Sequence, residues 1–155
     1  MKYTVLALLF PAAFLSSCTS NDDQKEGSSL PIKGTWRLLS SVTVTKGQST
    51  SVDYTRGQRM IKIINDTHFA FLKHDLKSDA AGKNNFDAGG GRYTLAGDTY
   101  TEFLEYYNDK NWEGKTFTFK VKIQNDTLLQ TGVEKVEKAS VDRTITEKYI
   151  RVKTQ

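Results

Sequence analysis

Glu102 in "TYTEFLEYY" and Glu147 in "TITEKYIRVK" are carboxylates that stand among aromatic and β-branched residues instead of in polar runs. Arg151 follows Glu147 at an even spacing, so on an extended strand the two share a face. Tyrosines Tyr93, Tyr100 and Tyr149 and the amide Gln130 accompany them on neighbouring alternating segments. A carboxylate, a guanidinium and phenolic hydroxyls inside an apolar enclosure can fix the polar end of a small ligand. The same groups can instead form an internal salt bridge that pins strand register, because buried charges must be paired or change protonation. Two carboxylates could also work as an acid–base pair, as in glycoside hydrolysis, if the fold held them at the required separation. No catalytic residue is assigned on this basis.

Other chemistry-bearing types lead elsewhere. Asp-Thr occurs three times in similar settings, in "IINDTHFAF", "LAGDTYTEF" and "IQNDTLLQ". Metal binding would need these carboxylates to converge on one point. Each instead joins two runs of strand-forming residues, and Asn-Asp or Gly-Asp supplies the positive φ that a tight hairpin needs. They read as turns, and no metal or cofactor is expected. His68 lies on the face opposite Phe69 and Phe71, and His74 opens a long connection, so both are expected outside the core. "AGGGR", residues 88–92, lacks the Lys-Ser/Thr of a phosphate loop and reads as a place for a bulge or sharp strand curvature.

The elements that must carry these groups are strands. Short apolar–polar alternation bounded by Gly, Asn and Asp recurs near 35–44, 59–64, 67–72, 90–95, 99–107, 115–123, 126–132 and 143–153. "KTFTFKVKI" is the clearest, with Phe117, Phe119, Val121 and Ile123 on one face. In "TYTEFLEYY" two phases compete: Tyr100, Glu102, Leu104 and Tyr106, or Thr101, Phe103, Glu105 and Tyr107. The Asp-Thr turns follow the second, fourth and sixth strands, whereas 45–58, 73–89, 108–114 and 133–142 are longer connections. In an up-and-down sheet alternate connections fall at opposite ends, so one end is closed by tight turns and the other is ringed by loops. An extra strand within 45–58 ("TSVDYT") would be expected to invert the direction of the first strand. Closing the sheet into a barrel removes the edges that invite aggregation.

"KGTWRLL", with Gly34 and Trp36 opening the first strand, and "TEKYIRVK", with Arg151 on the last, together resemble the lipocalin or calycin arrangement. The resemblance implies that Trp36 plugs the closed end and that Arg151 crosses its ring as a cation–π contact. "GGGRYTLAGDTYTEFLEY" and "EKYIRVK" are similar to a family of lipocalin-like bacterial lipoproteins without an assigned activity. It implies an all-β, antiparallel up-and-down barrel of about eight to ten strands over residues 33–155. It also favours the Tyr100–Glu102 phase. With Trp36 and Arg151 inward, parity puts Leu38, Ser40, Val42 and Val44 inside on the first strand and Tyr149, Glu147 and Ile145 on the last. Lumen candidates are then Tyr93, Tyr100, Glu102, Gln130, Glu147 and Tyr149, with Glu102, Glu147 and Arg151 as a polar cluster.

The chain's start points to the cell envelope. Lys2, the apolar "TVLALLFPAAFL" and "LSSC" up to Cys18 form a secretory signal, too short for a comfortable span. Small residues leading into the single cysteine resemble a bacterial lipobox, which implies cleavage before Cys18 and its acylation. Residues 18–32 then read as an acylated, polar tether. Loss of residues 1–17 removes one lysine and no acid, taking the formal charge from +4 to +3, too mild and too dispersed for nucleic acid. With one cysteine no internal disulfide forms. The expected protein is an outer-membrane lipoprotein, on the periplasmic side or the cell surface, that binds a small, partly apolar molecule. The alternative is an interaction module for an envelope protein, with a filled lumen.

Overall fold

The computed structural model describes residues 30–153. The expected Cys18, signal peptide and most of the tether lie outside them. Ten strands form one antiparallel sheet: β1 (Gly34–Thr45), β2 (Gln48–Asp53), β3 (Gln58–Ile64), β4 (His68–Asp75), β5 (Phe86–Ala96), β6 (Thr99–Leu104), β7 (Tyr106–Tyr107), β8 (Lys115–Gln124), β9 (Thr127–Val136) and β10 (Val141–Arg151). A 3-10 turn, Glu137–Ala139, precedes β10. Eight strands, β1, β3, β4, β5, β6, β8, β9 and β10, close into a barrel through pairing of β10 with β1, from Trp36↔Arg151 to Val44↔Thr144. The all-β, antiparallel up-and-down barrel expected from the sequence is the fold.

The Asp-Thr segments are turns. Asn65 Oδ1 accepts from the backbone N–H groups of Thr67 and His68 at 2.9 and 2.8 Å, an Asx-type closure. Asn125 and Asp126 both have positive φ, 48° and 58°, as a primed two-residue hairpin requires. Their aspartates do not converge. Asp66 pairs with Lys33 at 2.6 Å, Asp98 with Lys120 at 2.7 Å, and Asp126 with Lys153 at 3.2 Å. All three pairs are exposed and lie at different hairpins around the closed end.

Strand β2 is the extra strand that was expected to invert β1. It does not, because β2 and β3 both run antiparallel to β1 on the same side: β3 beside Gly34–Arg37, β2 beside Ser40–Thr45. They are two pieces of one line, broken at Tyr54–Gly57. β1 therefore starts at the tight-turn end, where Gly34 pairs with Ile64. The connection read as 45–58 is mostly this strand, turned at Lys46-Gly47 with φ of 49° and 79°. Longer strands also shorten two of the expected loops, to 76–85 and 137–140.

Two bulges correct the inward assignments. Between Leu38 and Ser40 the β1–β10 register shifts by one, and the backbone N–H of Tyr54 bonds the Leu39 carbonyl there at 2.9 Å. Beyond it the faces exchange: Ser41 is buried, while Val42 and Val44, expected inside, are 37% and 39% exposed. The second bulge separates β6 from β7. Tyr93 pairs with Glu102, but Gly90 pairs with Tyr106, one residue out of step. A Cβ on Gly91 would stand 1.8 Å from the Phe103 carbonyl oxygen, so only glycine admits this crossing. Hence Tyr100, Glu102 and Leu104 are buried, Tyr106 is exposed, and Tyr107 turns inward. Each of the two competing phases holds on one side of the bulge.

Candidate functional site: a charged, aromatic lumen

The barrel floor is built first. Trp36 is fully buried, and its indole N–H donates to the Ile32 carbonyl at 2.7 Å. The Arg151 guanidinium lies 4.0 Å from the centroid of the Trp36 ring and donates to the Lys33 and Pro31 carbonyls at 2.7 and 2.5 Å. Gly34 has φ 134°, and a Cβ there would stand 2.7 Å from Arg151 Nη1, so glycine makes room for the crossing arginine. Ile32, placed in the tether on sequence, is 2% exposed and belongs to the core, so the barrel unit begins before residue 33. Arg151 is thus committed to the floor, and its expected membership of the lumen cluster with Glu102 and Glu147 is corrected.

The lumen cation is instead Lys62, which sequence reasoning missed. On β3 it pairs directly with Trp36 of β1 and Phe71 of β4, and directly paired residues share a face. The sequence does carry a signal: Phe69 and Phe71 mark the core face, and the hairpin at Asn65–Thr67 sets Ile64 against Phe69 and therefore Lys62 against Phe71. Within "MIKII" the apolar Ile61 and Ile63 conceal it, yet Ile63 is 40% exposed and Lys62 only 3%.

Polar groups gather one layer above the floor. Ile64, Tyr100, Leu128 and Tyr149 are buried floor residues, and two positions further along the same strands come Lys62, Glu102, Gln130 and Glu147. Lys62 Nζ donates to Glu102 Oε1 at 2.8 Å and to Gln130 Oε1 at 3.1 Å. The rings of Tyr149, Phe69 and Tyr100 surround the ammonium at 5.3, 5.8 and 5.9 Å. Burial alone would favour discharging Lys62, but Glu102, Glu147 and Glu134 outweigh it and hold the ammonium above the ordinary lysine range. The Tyr149 hydroxyl donates to Glu147 Oε2 at 2.8 Å. Burial pushes the Glu147 carboxyl above its ordinary range, against the opposing pull of Lys62 and of that hydrogen bond.

Above this layer is a cavity of about 250 Å³. Its walls carry six aromatic side chains: Tyr54, Phe71, Tyr107, Trp112, Phe117 and Phe119. Tyr54 arrives from the break between β2 and β3, and Trp112 from the 108–114 connection, both from the loop end. Trp112 packs on Phe117 and Tyr107, with ring centroids 5.7 and 6.3 Å apart, and the Arg143 guanidinium stands 5.8 Å from its ring. Nearer the mouth, Arg143 pairs with Glu134 at 2.6 Å and Lys73 with Asp87 at 3.2 Å. The Tyr107 hydroxyl is pushed up to about 12, first by burial and then by Asp87.

Of the six lumen candidates, Glu102, Gln130 and Glu147 line this cavity; Tyr93, Tyr100 and Tyr149 do not. Tyr93 sits against Tyr100 at 5.3 Å and donates its hydroxyl proton to the Asn65 carbonyl at 2.7 Å, which ties it to a closed-end turn. Tyr100 is wholly enclosed in the floor, its hydroxyl near Glu102 but without a hydrogen bond of good geometry. Tyr149 acts one step back, through Glu147. His68 and His74 are exposed, as expected.

No curated protein matches the sequence. Among solved structures the chain is similar to a lipocalin-like protein from Bacteroides uniformis ATCC 8492, at 22% identity and a TM-score of 0.46, over 77% of this chain and 97% of that one. It is also similar to an uncharacterized protein from Bacteroides eggerthii DSM 20697, at 13% identity and a TM-score of 0.47, over 77% and 98%. Residues 31–155, which span the whole barrel from the Arg151-bonded Pro31 onward, match the family described as a domain of unknown function, DUF4488, and the chain belongs to that family.

Proposed function

We propose that this protein is a binding barrel of the cell envelope, whose lumen takes a small, partly apolar molecule. The observation that carries the reading is the cavity of about 250 Å³ beneath Trp112, with aromatic walls and a polar floor of Lys62, Glu102, Gln130 and Glu147. Small-molecule sites have this character: apolar surroundings with a few placed polar groups. Native mass spectrometry of the protein purified from its own host tests it. A retained small-molecule mass, lost when the lumen is filled by Leu104→Trp, supports the reading; an empty protein that no small-molecule mixture stabilises against heat overturns it.

The envelope location rests on the lipobox resemblance at Cys18. Cys18→Ala is expected to abolish acylation and move the protein from the detergent phase to the aqueous phase or to an uncleaved precursor; unchanged partition refutes the anchor. Because β1 starts at the tight-turn end, a tether from Cys18 would hold the closed end toward the membrane and turn the cavity mouth toward the aqueous phase. One observation favours the second reading, an interaction module: β2 pairs only with β1, so its other edge is open among the described residues. A partner adding a strand there would protect the β2 amides from hydrogen exchange, and a small ligand in the lumen would not.

A further inference from the structure

The ionisable groups lining the cavity do not pair off evenly. Lys62, Lys73 and Arg143 are its cations; Asp87, Glu102, Glu134 and Glu147 are its anions. Three pairs form, Lys62–Glu102 at 2.8 Å, Lys73–Asp87 at 3.2 Å and Arg143–Glu134 at 2.6 Å. Glu147 is left over. Its one hydrogen bond among the described residues comes from the Tyr149 hydroxyl to Oε2. Lys62 stands near enough to attract it but spends its hydrogen bonds on Glu102 and Gln130.

Resting on the reading that the cavity holds a ligand, we propose that the lumen selects a small organic cation, a primary or secondary amine on a compact aromatic or aliphatic body, with its ammonium set against Glu147. An anionic ligand would keep the Glu147 carboxyl protonated and would find the cavity's cations already paired. A neutral one would also leave Glu147 protonated and gain no ion pair from it. The six aromatic rings add to the preference, because their faces attract a cation and accept an apolar body. The size of the cavity, just under the usual range for drug-sized ligands of about 300–1,000 Å³, limits the body to roughly one ring.

Binding is coupled to a proton. The groups facing Glu147 are Lys62 from β3, Tyr100 and Glu102 from β6, Glu134 from β9 and Tyr149 beside it on β10. In the empty lumen burial, with Glu102 and Glu134 acting in the same sense and Lys62 and the Tyr149 hydroxyl opposing, shifts the Glu147 carboxyl toward its protonated form. An arriving ammonium favours the carboxylate. The carboxyl O–H bond breaks, its electron pair stays on the Glu147 oxygen, and the proton leaves to solvent while the amine keeps its own charge.

The test is isothermal titration of the purified full chain with three probes of one shape: phenethylamine, neutral 2-phenylethanol and anionic 3-phenylpropionate. The amine is expected to bind at least tenfold more tightly than the alcohol, and the acid more weakly than either. Repeating the amine titration in buffers of different ionisation enthalpy should reveal proton release. Affinity should rise with pH as Glu147 ionises. Glu147→Gln, which preserves shape and the Tyr149 contact, should bring amine and alcohol within about twofold and abolish proton release, a loss that a purely structural role would not produce. The wild-type comparison and its proton release stand without the variant. Equal affinity for amine and alcohol, preference for the acid, or binding of none of the three overturns the amine inference. The ligand-binding reading is judged separately, by the retained mass in native spectrometry.

Discussion

Removing the lumen cation while leaving its partner should be the most damaging single polar change in the barrel. Lys62→Met keeps an unbranched side chain of similar length but strands Glu102, whose side chain is 10% exposed. Breaking one side of a buried ion pair costs about 3–5 kcal/mol, because the remaining charge stays desolvated. For a unit of this size that is a fall in Tm on the order of 10–20 °C. Replacing both members, Lys62→Met with Glu102→Leu, removes the orphaned charge and should recover most of the loss, since buried pairs exchanged for packed apolar groups are often neutral. The pH must be chosen with the sign in view. The folded-state pKa of Lys62 is raised above 10.5, so its contribution is complete at pH 7 and is lost only as pH climbs through the folded value. Urea unfolding at pH 7, with equal m-values for all variants, is the assay. A single substitution costing less than about 1 kcal/mol, or a double variant no more stable than the single, would refute the buried-pair account.

Trp36→Ala should destabilise by about 3–5 kcal/mol through loss of a fully buried ring together with its Arg151 and Ile32 contacts, and a loss under about 1 kcal/mol would place the ring outside the floor. Gly91→Ala should cost about 1–3 kcal/mol or more, because its methyl meets the backbone of the β6–β7 bulge and not a movable side chain; thermal unfolding equal to wild type would contradict the bulge. Glu147→Gln should stabilise the empty protein at neutral pH. The native carboxyl is raised above its unfolded value of 4.5, so its ionisation penalises the fold as pH rises through the window above 4.5. The gain should vanish below pH 4.5, and a variant less stable than wild type at pH 7 would reverse the sign assigned to Glu147.

Much of this architecture is local and therefore legible. Alternation of period two marks "KTFTFKVKI" as a half-buried strand, and Phe117, Phe119 and Val121 are indeed buried. Turn chemistry at Asn65, Gly97 and Asn125-Asp126 is written in residues that tolerate or cap sharp backbone, so the tight-turn end could be placed from sequence. Trp36 and Arg151, the ends of one barrel seam, were paired through resemblance to other barrels, and no local pattern in this chain joins them.

What the sequence could not give is whatever depends on where strands slip or meet across the barrel. Alternation carries side-chain direction forward only until a bulge, and one extra residue at Leu39 reverses every later assignment on β1, sending Val42 and Val44 out. The bulge after Leu104 does the same to Tyr106 and Tyr107. The lumen chemistry lies further still from the linear chain. Lys62 meets Glu102 at a separation of 40 residues and Gln130 at 68, across three different strands. Nothing within "MIKII" favours a buried lysine, whose desolvation is costly in any short segment taken alone. Only closure of the sheet brings the opposing carboxylates close enough to offset that cost, and so the tertiary structure, not the strand's own pattern, decides that Lys62 faces inward and that it pairs with Glu102 and not Glu147.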